Sequence, residues 1–244
     1  MDCLRLENVR KSFDGTKVID GIGFSVREGG VTGLVGPNGA GKTTLFNLIN
    51  GFLRQDTGSI HYRSKLIDQL PTEKRALLGI GRLWQELRLF GNLTALENVL
   101  VARRQNAGER ISTYLTKPWR ALAFERQNVE FAERLLSSTG LYDKRANLAR
   151  DLSYGQLKLL ALARLLANDP QLLLLDEPLA GLSGEAADRV LSITRELADQ
   201  GKTLLIIEHD SQRVMNIVDC VVLLRNGRIQ PSGPACDISG SQTK

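Results

Sequence analysis

Residues 36–43 read GPNGAGKT and fit G-x-x-x-x-G-K-[ST], a spacing that serves one kind of chemistry. Glycines at 36, 39 and 41 let the backbone curl until consecutive N–H groups point inward, where they can bind phosphate oxygens. Lys42 is placed to reach the β- and γ-phosphates of a nucleotide, and the Thr43 hydroxyl to ligate Mg2+. Far downstream, LLLLDEP at 172–178 runs four leucines into two carboxylates, Asp176 and Glu177. An Asp-Glu pair at a strand end is by itself an ordinary helix cap or surface pair. In a chain that also carries a phosphate loop, the pair gains a role. Asp176 can hold the hydration shell of Mg2+, and Glu177 can polarise a water aimed at the γ-phosphate.

These side chains need elements to hold them. GVTGLVG reads as a short apolar strand entering the glycine-rich loop, and KTTLFNLING then has helical spacing, with Leu45, Leu48 and Ile49 on one side and Gly51 as the stop. The helix start adds about half a positive charge to the phosphate loop. Four leucines in succession suit a parallel strand buried on both faces, and open α/β sheets bind ligands at the carboxyl ends of such strands. Nearer the N-terminus, LRLENVRKSF and VIDGIGFSV alternate with period two around a turn at Asp14-Gly15.

Between about Leu87 and Ala163 the character changes. NLTALENVLVARRQ and ALAFERQNVEFAERLLSSTGL read as amphipathic helices, the first capped by Asn92. The polar NAGERISTYLTKPWR between them, which carries Pro118, reads as a loop or short insert. Strands and helices alternate again beyond Ala163, and Asn226-Gly227 marks a hairpin. The expected layout is one α/β domain over 1–236, with a core of 1–85 and 164–236. It carries an antiparallel β-layer near the N-terminus and an inserted helical subdomain at 86–163, and residues 237–244 form a disordered tail.

Composition narrows the partners. The 244 residues are 42% hydrophobic and 24% charged, ordinary for a soluble protein. A net charge of +5 with scattered basic residues reads as a solvated surface, so no nucleic-acid partner is expected. Cys3, Cys220 and Cys236 lie far apart with no Cys-x-x-Cys pair and no histidine beside them, against a zinc site or a disulfide framework. No signal peptide and no long apolar span stand out, so a cytoplasmic location is expected.

GPNGAGKT, LSYGQ at 152–156 and LLLLDEP, in this order, resemble the ATP-binding-cassette ATPases, and the resemblance covers essentially the whole chain. It implies a P-loop NTPase fold in the α/β class, with ATP and Mg2+ as cofactors. Gly36, Pro37, Asn38, Gly39, Ala40, Gly41, Lys42, Thr43 and Thr44 would then contact the nucleotide. It also explains LSYGQ, a polar pentamer with no nucleophile or metal ligand of its own. Ser153, Gly155 and Gln156 would reach the γ-phosphate of an ATP held by a second, facing subunit, so that two ATPs are sandwiched in a dimer. By the same resemblance, Gln85 touches Mg2+ or water and links the site to a transmembrane partner. His209 contacts the γ-phosphate beside Lys42 and Glu177, and Phe13 stacks on adenine unless it is a core residue. Tyr154, where glycine is commoner, Ser183, where many members carry aspartate, and the apolar Leu159 and Ala161 depart from the family pattern.

LSYGQ, AGL, IIEHD followed by VMNIVD, and the long run between Gln85 and Leu152 look like the ATPases of branched-chain amino acid importers, a pattern shared by urea and amide importers. The implied partners are a second ATPase subunit, membrane permeases and, indirectly, a substrate-binding protein, with the chain peripheral on the inner face of the membrane. An exporter ATPase or a non-transport cassette is the alternative. DNA-repair relatives carry a long coiled coil and translation factors two cassettes, and neither is present in this sequence. A regulator without turnover would be expected to lack Glu177 or His209.

Overall fold

A computed structural model describes residues 1–103, 118–208 and 212–230. The alternating N-terminal segments form β1 (Asp2–Phe13) and β2 (Thr16–Arg27), joined through Asp14 and Gly15, both at positive φ. With β4 (Thr57–Tyr62) and β5 (Lys65–Leu66) they make an antiparallel sheet in the order β2-β1-β4-β5.

The second sheet holds the strands that carry the site. Its members are β3 (Val31–Val35), β6 (Ile80–Leu83), β7 (Leu172–Asp176), β8 (Thr203–Glu208), β9 (Cys220–Arg225) and β10 (Arg228–Gln230), in the order β10-β9-β3-β8-β7-β6. All neighbours pair in parallel except β10, which returns from β9 through Asn226-Gly227. Every residue of β7 and β8 is buried, which is what continuous apolar runs mean in a parallel sheet. Between the sheets, Leu4, Phe24, Phe46, Leu174 and Ile207 belong to one core, to which α1 (Lys42–Asn50) contributes Leu45, Leu48 and Ile49. Cys3 is buried and free.

The chain divides into two compact units. One comprises residues 1–85, 170–178 and those from 194 onward; the other comprises 86–169 and 179–193. The sequence reading assigned 164–169 and 179–193 to the core, whereas their contacts place both with the helical unit. The first unit also includes α2 (Thr72–Leu77); the second contains α3 (Ala95–Ala102), α4 (Pro118–Ser138) and α5 (Tyr154–Leu166).

Two local expectations change in the helical unit. Thr94, not Asn92, caps α3: its hydroxyl accepts from the Glu97 N–H at 3.1 Å while its own N–H donates to the Glu97 carboxylate at 2.7 Å. That reciprocal pair satisfies two otherwise orphaned donors, which a lone Asn two residues earlier cannot do. Pro118 opens α4 instead of sitting in a loop, because the first helical position needs no N–H donor. Residues 104–117, which include most of the expected polar insert, lie outside the described residues, as does the tail from 231. Among the described residues no helix is long and apolar enough to cross a membrane.

Candidate nucleotide site

The phosphate loop is built where β3 ends. A Cβ on Gly36 would lie 2.1 Å from the Leu224 carbonyl oxygen, so nothing larger than glycine fits beside β9. Gly41 has φ 103°, and a Cβ there would meet Ile19 Cδ1 at 2.8 Å and the Val18 carbonyl at 2.9 Å. Both close approaches fix the curl of the loop. Helix α1 starts directly after Gly41 with no side-chain cap and no acidic residue in its first turn. Its leading N–H groups and its dipole are therefore left for an anion. Asn38 to Thr44, with Val18 and Glu177, line a recess of about 250 Å3.

Lys42 is held inside this arrangement at 5% exposure, its Nζ donating to the carbonyls of Gly36 at 2.6 Å and Pro37 at 3.0 Å. Burial pushes its pKa down, while the charges of Glu177 and then Asp176 oppose that shift. The ammonium is thus positioned by the loop within the field of the two carboxylates. Thr43, the next residue, is exposed and lines the recess.

The carboxylates part company at the end of β7. This strand is one in from the edge strand β6 and not at the middle of the sheet. Asp176 is its last residue, 3% exposed, and accepts from Arg82 Nη2 at 2.6 Å. Glu177 leaves the strand at φ 47°, a left-handed setting that costs a non-glycine residue about 1 kcal/mol or more. Its N–H stays tied to the Ile207 carbonyl of β8 at 3.1 Å. The turn sends the Glu177 side chain to the recess, where its Oε2 accepts from Gln85 Nε2 at 3.0 Å. Gln85 is thereby brought to the carboxylate expected to act as base. The donors expected to hold Mg2+, the Thr43 hydroxyl, the Gln85 amide oxygen and the Asp176 carboxylate, are all hard oxygens, the set that this cation prefers. They fit it.

Phe13 is 41% exposed, which removes the core reading and leaves its ring open to stacking. It pairs with Thr16 at the hairpin end, and Lys11 Nζ lies 5.5 Å from its ring centroid. In the helical unit, Ser153 caps α5: its Oγ accepts from the Gln156 N–H at 3.3 Å, and the Gln156 side chain accepts from the Ser153 N–H at 3.0 Å. Gly155 is close-packed, since a Cβ would touch the Ala186 methyl at 3.0 Å. The unusual Tyr154 packs its ring against Gly181, whose Cβ would sit 2.8 Å from Tyr154 Cε1. Leu159 is buried at 7% exposure, which accounts for the apolar character of this helix. His209 lies outside the described residues.

Arg82 was not singled out from the sequence. Its signal was there: a lone cation within the apolar run LLGIGRLW requires a buried counter-charge.

The model of the ABC transporter family matches residues 19–180. A probable branched-chain amino acid transport ATP-binding protein of Methanocaldococcus jannaschii is 35% identical over 236 residues, covering 96% of this chain and 90% of that protein. A crystal structure of a nucleotide-free ATP-binding cassette from an ABC transporter superposes with a TM-score of 0.82 at 35% identity, over 96% of this chain and 91% of that one. A bacterial ABC transporter cassette described as dimeric superposes with a TM-score of 0.78 at 25% identity, over 93% of this chain and 97% of the other.

Proposed function

Because the chain belongs to the ABC transporter family, as an ATP-hydrolysing cassette, we propose that it energises an importer of branched-chain or other small amino acids. The observation that carries the catalytic reading is that Lys42 and Glu177 line one recess with the phosphate loop. The substrate class rests on the kinship with the branched-chain amino acid relative, which runs over nearly the whole chain.

In this reading the residues 36–44 hold the phosphates through backbone N–H groups, and Lys42 turns from its loop carbonyls to the γ-phosphate oxygens. Thr43, Asp176 and Gln85 are the residues that would hold Mg2+, which when bound would supply charge neutralisation to the phosphates. Glu177 accepts a proton from a water whose oxygen attacks the γ-phosphorus; the bond to the β–γ bridging oxygen breaks, and ADP leaves. The Gln85 amide fixes the Glu177 carboxylate for that task. Phe13 offers its open ring to adenine, and His209 adds a contact to the γ-phosphate. Ser153, Gly155 and Gln156 complete the site of a second copy or a paralogue, and the resulting ATP-bound dimer drives permeases in the membrane, with the chain peripheral on their cytoplasmic side.

Uptake decides the substrate. Cells lacking the chain, complemented with wild type or Glu177→Gln, are given labelled leucine, valine, urea or short amides. Wild type alone should restore leucine and valine uptake. Restored urea or amide uptake in their place would replace the amino acid reading, and restoration of none would overturn the importer.

A further inference from the structure

The strongest unexplained group in the core unit is the Arg82 guanidinium. It makes an ion pair with Asp176 at 2.6 Å, with side-chain exposures of 2% and 4%. Its Nη1 donates to Asn47 Oδ1 at 2.6 Å. Its carbon lies 3.9 Å from the Trp84 ring centroid and 5.4 Å from that of Phe46. Three parts of the site therefore meet on one side chain. Asp176 is the carboxylate expected to serve Mg2+. Asn47 stands one helical turn after Thr43, on the same face of α1. Trp84 immediately precedes Gln85, which holds Glu177.

Stability does not explain this arrangement. A buried ion pair gains little over a well-packed apolar pair, because both charges must be desolvated. Position does explain it. A guanidinium presents a rigid planar fork, so one that is fastened to Asn47 and stacked on Trp84 fixes the direction from which it grips Asp176.

We propose that Arg82 is a positioning residue for this carboxylate. It occupies Asp176 Oδ2, leaves Oδ1 for the water shell of Mg2+, and ties the setting of that carboxylate to α1 and to the segment bearing Gln85. The proposal rests on the nucleotide-site reading of Asp176. Orientation comes at the expense of metal affinity, since a positive charge next to the carboxylate opposes a second cation. Removing Arg82 must therefore tighten the metal while slowing the reaction, a combination that a merely structural role does not produce.

The test uses the full chain and the imido analogue of ATP, with affinity measured by calorimetry in Mg2+ and in EDTA. The ratio of the two affinities reports the contribution of the metal. In Arg82→Gln the EDTA affinity should stay within about threefold of wild type and the ratio should rise by about tenfold, as expected when an opposing charge is removed. Turnover should fall by about tenfold or more, because the carboxylate is no longer held. Arg82→Lys keeps the charge and loses the fork, so its ratio should match wild type while its turnover falls. This second variant decides the matter alone if the glutamine protein does not fold. An unchanged or lower ratio in Arg82→Gln, wild-type turnover in either variant, or a changed ratio in Arg82→Lys overturns the proposal. A wild type that fails to bind the analogue overturns the site reading and this proposal with it, whereas one that binds while the variants behave like it overturns the proposal alone.

Discussion

At Glu177 the backbone and the side chain make the same argument. Asp176 and Glu177 are neighbours in sequence, yet the left-handed φ of 47° separates them, one toward Arg82 and one toward the recess. A conformation that costs energy at a carboxylate lining the recess is what the proposed role as base would account for. Glu177→Gln tests this cleanly. Its amide oxygen can still accept from Gln85 Nε2, so geometry survives while the capacity to take a proton does not. Turnover should slow by roughly 10² to 10⁴, the usual worth of a positioned base. ATP binding should persist, and an ATP-dependent dimer should accumulate on size exclusion. A variant that turns over like wild type and stays monomeric would refute the role of this carboxylate. At this scale the places of Lys42 at the start of α1 and of Asp176 and Glu177 at the end of β7 were legible, the first from motif spacing and the other two from the leucine run that leads into them. Arg82 was not, because its partner stands 94 residues away and only the fold brings them together.

At the scale of elements, the phosphate-binding helix is held at both ends by different means. Its start is left open for an anion, whereas its end is closed by Arg75, which is fully buried. Arg75 donates to the carbonyls of Leu48 at 2.6 Å, Ile49 at 2.9 Å and Leu70 at 2.8 Å, and to that of Asp68 at 3.2 Å. Burial lowers its pKa, partly offset by Asp68. The last carbonyls of a helix have no partners of their own, and here a cation meets them at the negative end of the dipole. Arg75→Met should strip the guanidinium from all four carbonyls, leaving Leu48 only the Gly51 N–H at 3.3 Å, and cost about 3 kcal/mol. For a chain of this size the melting temperature should drop by about 6 to 12 °C, and a drop under about 2 °C would show that water or a neighbouring side chain replaces the guanidinium. The strands and main helices were legible from period and turn residues, since those signals are local. The caps were less so: Thr94 outcompeted Asn92 through a reciprocal bond to Glu97, and Pro118 began a helix that its reputation as a breaker disguised. Arg75, in a short polar helix, gave no signal at all, because its acceptors are backbone carbonyls that sequence does not distinguish.

For the whole molecule, the distribution of the motifs over two compact units makes the last prediction. The phosphate loop, Asp176 and Glu177 belong to one unit, and Ser153 to Gln156 to the other. Ser153 and Tyr154 are exposed at the start of α5, and helix N-termini favour anions. Ser153 Oγ spends one lone pair on the Gln156 N–H, which leaves its hydroxyl proton and a second lone pair for a ligand. If that ligand is the γ-phosphate of a facing subunit, damage at Ser153 and damage at Lys42 must complement each other. A Ser153→Arg chain retains its phosphate loop, and a Lys42→Ala chain retains its signature. Each should be nearly inactive alone, because every site in either homodimer lacks one half. Mixed in equal amounts with random pairing, about a quarter of the dimer sites regain both halves in one composite, so a measurable fraction of wild-type hydrolysis should return. If the working dimer pairs this chain with a paralogue, isolated wild type should itself be slow and the mixture silent, and adding the paralogue should restore activity to wild type and to neither variant fully. Wild-type turnover by the Ser153→Arg protein, shown by sedimentation to be monomeric while it turns over, would overturn the shared site under both arrangements.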